Sequence, residues 1–179
     1  MITNIILLSG LQDGLYQRKL RQCFKQPKKR VATNFDNARN IGILFDATQE
    51  EDARFIVGYK RELQSQRKKV SLMGYKDVKE LVGEEKYPCF CNKDLGFLTK
   101  TPKKQEVLDF INQPFDLLIA LHTHTCPPLE YISAASSAQF RIGHYQEDKI
   151  DLYDFMVYGK SKSVRALIKQ IETYLKKIH

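Results

Sequence analysis

The sequence lacks the glycine-rich loops with which many α/β proteins bind nucleotides. Its nine glycines form neither the dinucleotide-binding pattern G-x-G-x-x-G nor the phosphate loop G-x-x-x-x-G-K-[ST]. Such loops use glycine because the backbone must approach a phosphate group closely. We therefore expect neither standard NAD binding nor standard ATP binding, and we expect no cofactor.

Metal-binding patterns are also missing. The four cysteines include no Cys-x-x-Cys pair, because Cys89 and Cys91 are separated by a single residue. The spacing His122-x-His124-x-Cys126 could offer two imidazoles and a thiolate to a metal ion. These residues follow the end of the strand, however, and the loop would have to bend back before a third ligand could converge with the other two. We expect an ordinary polar loop here and no metal site.

Long apolar runs are absent as well. The opening run Ile5–Leu8 is much shorter than the roughly 20 apolar residues that span a bilayer. No basic start and no clear cleavage site of a secretory signal accompany it. These features predict a cytoplasmic protein whose thiols are reduced.

Positive charge is present, and it is concentrated near the N-terminus. The net charge is +8, and seven of the 29 basic residues lie between positions 17 and 30, where no acid occurs. The rest of the chain has 22 basic and 21 acidic residues and is nearly neutral. The clustered cations are Arg18, Lys19, Arg21, Lys25, Lys28, Lys29 and Arg30. We divide the chain into a basic N-terminal helical arm, residues 1–40, and a globular domain, residues 41–179.

The arm has two interpretations. Its cations could contact nucleic acid, as in an RNA- or ribosome-associated protein, or an anionic membrane. Alternatively, Tyr16, Leu20 and Phe24, which are spaced four apart, form one helical stripe that packs on the body or on a second copy in a homodimer. Because a run of charge is usually a solvated helix face, we favour the packing role.

The globular part alternates strands with helices. Short runs that are apolar on both faces are typical of buried parallel strands, and the apolar positions between them recur at helical spacing. The predicted strands are 41–45, 70–75, 88–91, 115–121, 140–143 and 155–157; the predicted helices start at about Thr48, Lys103, Pro127 and Ser161. We predict a Rossmann-like α/β fold: three layers around a mostly parallel sheet, with strands 41–45 and 115–121 side by side at its centre.

Two resemblances support this fold. The segment 115–145, with "FDLLIAL" and "PLEYISAASSAQFRIGHY", resembles the acceptor-side Rossmann-like half of heptosyltransferases. Over nearly the whole chain, the order "IGILFDAT", "CFCNKDLGF", "AQFRIGHY" and "DLYDFMV" resembles a family of small bacterial proteins, of Bacteroidetes type, whose function is unknown. The first resemblance implies a glycosyltransferase-like fold. The second implies no reaction, because none is assigned to that family.

The candidate site follows from the sheet. In open α/β sheets, ligands bind beyond the carboxyl ends of the strands. The residues expected at that edge are Asp46, Ala47, Thr48, His122, His124 and His144. For Asp46 and Thr48 we favour capping of the next helix, with Thr48 and Glu51 forming a capping box. Nothing marks Cys126 as an activated nucleophile.

We interpret the chain as a small binding or interaction module that uses this crevice for a small molecule or a protein partner. One alternative is an enzyme with glycosyltransferase-like or phosphate-ester chemistry that uses Asp46 and the two histidines. Such an enzyme would need a concave pocket that joins Asp46 to His124. The other alternative is an RNA- or ribosome-associated protein that uses the arm.

Overall fold

The computed structural model describes residues 2–25, 30–159 and 163–177, with side chains from Gly10 onward. The helices are α1 (Ile2–Lys25), α2 (Glu50–Ser65), α3 (Gln105–Asn112), α4 (Pro127–Ala135) and α5 (Val164–Leu175). The strands are β1 (Asn40–Asp46), β2 (Lys69–Lys76), β3 (Cys89–Cys91), β4 (Leu117–Leu121), β5 (Phe140–His144) and β6 (Phe155–Val157). Each helix in this part of the chain is too short or too polar to cross a bilayer.

The six strands form one sheet in the order β3-β2-β1-β4-β5-β6, and every pair is parallel. Strands β1 and β4 lie side by side at its centre, with Ile41 opposite Leu117 and Phe45 opposite Leu121. The predicted pairing and the predicted Rossmann-like fold are confirmed. This strand order reverses between β1 and β4, and such a reversal is the place where open α/β sheets hold ligands.

Helices cover both faces of the sheet. Ile43 and Phe45 point to the face covered by α2 and α5, whereas Leu44, between them, points to the face covered by α3 and α4. All three side chains are fully buried. Burial on both faces explains why β1 and β4 are continuous apolar runs rather than alternating ones.

The start of α2 differs from the prediction. The helix begins at Glu50, preceded by Gln49, and no side-chain cap bond forms there among the described residues. The expected capping box at Thr48 is wrong, and neither Asp46 nor Thr48 caps the helix. Asp46 Oδ1 instead accepts a hydrogen bond from Thr48 N at 2.8 Å, and Thr48 Oγ1 accepts one from Asp77 N at 3.0 Å. These two side chains therefore fix the loop after β1 and do not cap α2.

The arm helix α1 packs on the body through Tyr16 and Leu20. Both are buried, in a cluster that includes Tyr153 of the loop before β6, and Tyr16 Oη donates to the carbonyl of Pro127 at 2.9 Å. Phe24 does not complete the stripe, since it is 38% exposed. At about 100° per residue, eight residues carry it roughly 80° round the helix from Tyr16.

Arg30 does not share the exposed surface of the described cations on α1. Its guanidinium points into the body, where Nη1 donates to the carbonyl oxygen of Ala138, and Nε lies 4.0 Å from Asp154 Oδ1. Lys28 and Lys29 lie outside the described residues. Of the predicted phosphate contacts, the exposed ones are therefore those on α1: Arg18, Lys19, Arg21 and Lys25.

Candidate functional site

Asp46 and His124 meet at the point where the strand order reverses. Asp46 is the last residue of β1, and His124 lies in the loop 122–126 that follows β4. His124 Nε2 is 3.1 Å from Asp46 Oδ2. The imidazole side chain is 59% exposed, whereas the carboxylate is 19% exposed. The fold thus presents a carboxylate–imidazole pair to solvent at the position where the sheet topology predicts a site.

The loop after β1 is fixed on its other side by β2. Ala47 is fully buried, and its N–H donates to the carbonyl of Tyr75 at 2.7 Å. Thr48 is bound to the backbone of Asp77, as described above. Ala47 therefore supports the site without facing it, while Asp46 and Thr48 form its rim. We call Asp46, Thr48 and His124 the crevice edge.

Three polar residues that were missed in the sequence extend this rim. Asp77 Oδ1 accepts a hydrogen bond from Asn92 Nδ2 at 2.9 Å, and the Tyr75 hydroxyl bonds to Asn92 Oδ1. Burial, together with the Asp77 carboxylate, raises the pKa of Tyr75, so the phenol keeps its proton and donates. Tyr75, Asp77 and Asn92 could have been identified from the sequence, because each lies near or just after the carboxyl end of β2 or β3.

His122 faces the interior, unlike His124. It is 1% exposed, and it contacts the His124 carbonyl through Nδ1 and the Tyr153 hydroxyl through Nε2, both at 2.9 Å. A carbonyl can only accept, so Nδ1 carries the proton and Nε2 accepts from Tyr153. Burial lowers the pKa of His122, which favours this neutral form. His122 therefore fixes the loop and does not line an open site.

Tyr153 reaches His122 because β5 has a glycine at the point of contact. A Cβ at Gly143 would overlap the Tyr153 ring, so only glycine lets the ring lie against the strand. Burial raises the pKa of Tyr153, which keeps its hydroxyl a donor. The geometry of the loop 122–126 thus depends on a residue 31 positions along the chain from His122.

The end of the loop is held by a buried carboxylate. Glu130 in α4 is 1% exposed, accepts a hydrogen bond from Cys126 N at 3.1 Å, and pairs with Lys149. Burial raises the pKa of Cys126 to about 12. Cys126 is therefore a protonated thiol, which is a poor nucleophile and a poor metal ligand.

A second ion pair lies between β5 and the segment before β6, with a buried guanidinium and a carboxylate that is 17% exposed. Arg141 is 6% exposed and donates to Asp154 through Nε at 3.0 Å and Nη2 at 2.9 Å. We call the two ion pairs and the His122–Tyr153 contact the buried polar layer. Its members are His122, Glu130, Arg141, Lys149, Tyr153 and Asp154.

His144 does not join the crevice edge. It ends β5, where side chains alternate: Gly143 faces Tyr153, so His144 faces the opposite side of the sheet, with Ile142. Both of its ring nitrogens are buried and lack a hydrogen-bond partner within the described part of the chain. His144 is thus separated by the sheet from the two histidines with which it was grouped.

The three possible metal ligands after β4 diverge. His122 points inward, His124 points to solvent, and Cys126 lies under α4. Over residues 2–25, 30–159 and 163–177, no group of three or more His, Cys, Asp or Glu side chains could hold a metal ion. The absence of a metal in the purified protein stays a prediction.

Concave surfaces occur elsewhere. One of about 480 Å³ lies between α2 and the loop 77–88, and one of about 580 Å³ lies on α1. The linings of these two surfaces, and of two further concave surfaces among the described residues, include neither Asp46 nor His124. A pocket that joins Asp46 to His124, which the enzyme hypothesis requires, is not one of them.

Comparison with known proteins identifies a family whose function is unknown. No curated protein matches the chain. The model of a family of unknown function, DUF6913, matches residues 12–178, which include most of α1 and the whole sheet. The chain therefore belongs to the DUF6913 family.

Proposed function

We propose that this chain is a small bacterial, cytoplasmic binding module that holds a polar ligand at the crevice edge. The observation that carries the proposal is the Asp46–His124 pair at the reversal of strand order. The exposed imidazole of His124 and the partly exposed carboxylate of Asp46 give a ligand both a donor and an acceptor. Thr48 adds a hydroxyl beside them.

The support beneath the edge favours binding. The loop 122–126 is held at one end by His122 and at the other by the bond from Cys126 N to Glu130. A loop fixed at both ends loses little conformational freedom when a ligand arrives, and such preorganisation increases affinity. The ligand would lie on a shallow, polar surface, without a glycine-rich phosphate cradle.

An enzyme is the second candidate, and one contact favours it. A carboxylate that hydrogen-bonds an imidazole can orient it as a general base. His124 and Asp46 have this relation. Two observations argue against catalysis: His122 is enclosed, and the thiol of Cys126 is protonated. We place binding first.

A thermal-shift panel of nucleotides, sugar phosphates and small dicarboxylic acids tests the proposal. A ligand at about 100 times its dissociation constant stabilises the folded state by about 2.7 kcal/mol, which is easily measured. We expect at least one class to raise the melting temperature of the wild type and of Asp151→Asn, an exposed control. The shift should be lost in Asp46→Asn and in His124→Gln.

Two results would overturn this proposal. One is a panel in which no compound shifts the wild type. The other is a hit whose effect survives in both edge variants, because its site would then lie elsewhere. Incubation of each hit with the wild type, followed by product analysis, separates binding from turnover; conversion that is lost in His124→Gln would favour the enzyme.

A further inference from the structure

Helix α1 has a second face that the fold does not use. Tyr16 and Leu20 point to the body. Lys25 follows Tyr16 by nine residues, which places it about 180° round the helix. Arg18 and Arg21 precede Lys25 by seven and four residues and share its stripe. All three cations are exposed and point away from the body.

These cations line a concave surface of about 580 Å³. Its described lining residues all belong to α1: Gly14, Gln17, Arg18, Arg21, Gln22 and Lys25. None of the six is acidic. Within the described chain, none of the three cations forms an ion pair, and Asp13 lies on another side of the helix. Their charge is therefore not compensated by the fold.

Helix stability explains only part of this surface. Lys25 lies in the last turn, where a cation interacts favourably with the helix dipole. Arg18 lies nearly two turns earlier and gains little from the dipole. Gly14 weakens an exposed helix by about 1 kcal/mol relative to Ala, and a Cβ built there meets no described atom within 4 Å. Gly14 lies one turn before Arg18, so its missing side chain opens the N-terminal end of the basic stripe to a close approach from outside.

We propose that this face of α1 binds the phosphate backbone of single-stranded RNA. Three cations without acidic partners supply the sequence-independent attraction to phosphates. Phe24 is 38% exposed and lies beside Arg21 on the helix, where its ring can stack on an unpaired base. Gln17 and Gln22 offer amides to bases and to the ribose hydroxyl.

An anionic membrane fits this face less well. A helix that lies on a membrane turns an apolar face toward it. In the part of α1 whose side chains are described, Tyr16 and Leu20 are already buried against the body. The outward stripe there is cationic and amidic, with Leu11 as an exposed apolar side chain. RNA therefore matches the chemistry of this surface better. The proposal is independent of the crevice edge.

Fluorescence anisotropy with a labelled 20-nucleotide single-stranded RNA of mixed sequence tests the proposal on the full chain. The variant is Arg18→Gln/Arg21→Gln/Lys25→Gln. Its matched control, Arg54→Gln/Arg61→Gln/Lys169→Gln, removes three exposed cations from α2 and α5. Raising salt from about 50 to 200 mM should weaken wild-type binding roughly 20-fold more than it weakens binding by the α1 variant, since each lost phosphate contact reduces the salt slope by about 0.7.

The control should retain the affinity and the salt slope of the wild type. Phe24→Ala should weaken binding without changing the slope, because stacking is not ionic. A wild type that does not bind the RNA at 50 mM salt, or equal losses in the two triple variants, would overturn the proposal. Binding to phosphatidylserine vesicles that depends on the three α1 cations, with RNA binding unaffected by them, would assign the face to a membrane instead. Melting curves show whether each variant is folded.

Discussion

Two polar regions meet at the loop after β4. They differ in how many of their hydrogen-bonding groups are already paired within the protein. Most side chains of the buried polar layer are enclosed, and they bond to one another or to the backbone: His122 to Tyr153, Glu130 to Lys149, and Arg141 to Asp154. The crevice edge is open to solvent at His124. His122 and His124 lie two residues apart, yet one stabilises the fold and the other is available to a ligand. Burial and bonding, rather than residue type, separate the two roles.

The largest effect should come from breaking the Arg141–Asp154 pair. Asp154→Asn would leave the guanidinium of Arg141 buried without a charged partner, and removing one member of a buried pair costs about 3 kcal/mol or more. Urea denaturation measures the free energy of unfolding. Asp151→Asn, an exposed carboxylate three residues earlier, should change it by less than about 0.5 kcal/mol. Similar free energies of unfolding for the two variants would show that the Arg141–Asp154 pair does not stabilise the fold.

The contact of the arm with this layer should rank next. Leu20→Ala removes a side chain that packs near Tyr153, and such truncations typically cost about 2–4 kcal/mol. Phe24→Ala, on the exposed side of the same helix, should be nearly neutral. If both variants melt like the wild type, α1 does not depend on its contact with the body in solution.

Removing a single hydroxyl should give a smaller loss. Tyr153→Phe leaves Nε2 of His122 buried without a donor, and an unsatisfied buried acceptor costs about 1–3 kcal/mol. We expect His122→Gln to lose a similar amount. The double variant should lose less than the sum, because both changes remove the same bond. Additive losses would show that the two side chains act separately.

The dependence of stability on pH should also report the burial of His122. Burial lowers the pKa of His122, so below about pH 6.5 the unfolded chain binds a proton that the folded chain excludes. This contribution is fully present above the pKa of the unfolded state and is lost as the pH falls. Urea midpoints at pH 7.5, 6.5 and 5.5 should fall in the wild type and fall less in His122→Gln. A His122→Gln variant that keeps the full wild-type slope would contradict this assignment.

The smallest stability effect should be at the crevice edge. The Asp46–His124 pair is largely exposed on the imidazole side, and exposed ion pairs contribute about 0–1 kcal/mol. Asp46→Asn and His124→Gln should therefore each change the free energy of unfolding by less than about 1 kcal/mol. A loss comparable to that of Tyr153→Phe would place the pair among the structural contacts.

The sequence predicted the framework because the framework depends on local patterns. Ile41–Phe45 and Phe115–Leu121 are apolar at successive positions, which identified the central parallel strands, and strand ends then located Asp46 and His124. The partners that separate His122 from His124 are distant in sequence. No local sequence pattern indicates that Tyr153 contacts Gly143, so the inward orientation of His122 could not be predicted.

The same limit explains the misplaced charges. Arg30 lies in a run of cations and was grouped with them, but carbonyl oxygens of the body bind its guanidinium. Lys68 lies in a second basic run, just after α2 ends at Ser65, and its ammonium is buried against the carbonyl oxygens of Phe35 and Ala38. A long side chain can reach a buried acceptor from a polar segment, and only the tertiary structure shows whether it does.

The most direct test of the account compares His122→Gln with His124→Gln in one experiment. Each variant is melted with and without the best ligand from the thermal-shift panel. We predict that His122→Gln melts several degrees below the wild type, since 1 kcal/mol corresponds to about 2–4 °C for a chain of this size. We predict that His124→Gln melts like the wild type but loses the ligand-induced shift. A destabilised His124→Gln that still responds to the ligand, beside a stable His122→Gln that does not, would contradict the division between the buried polar layer and the crevice edge.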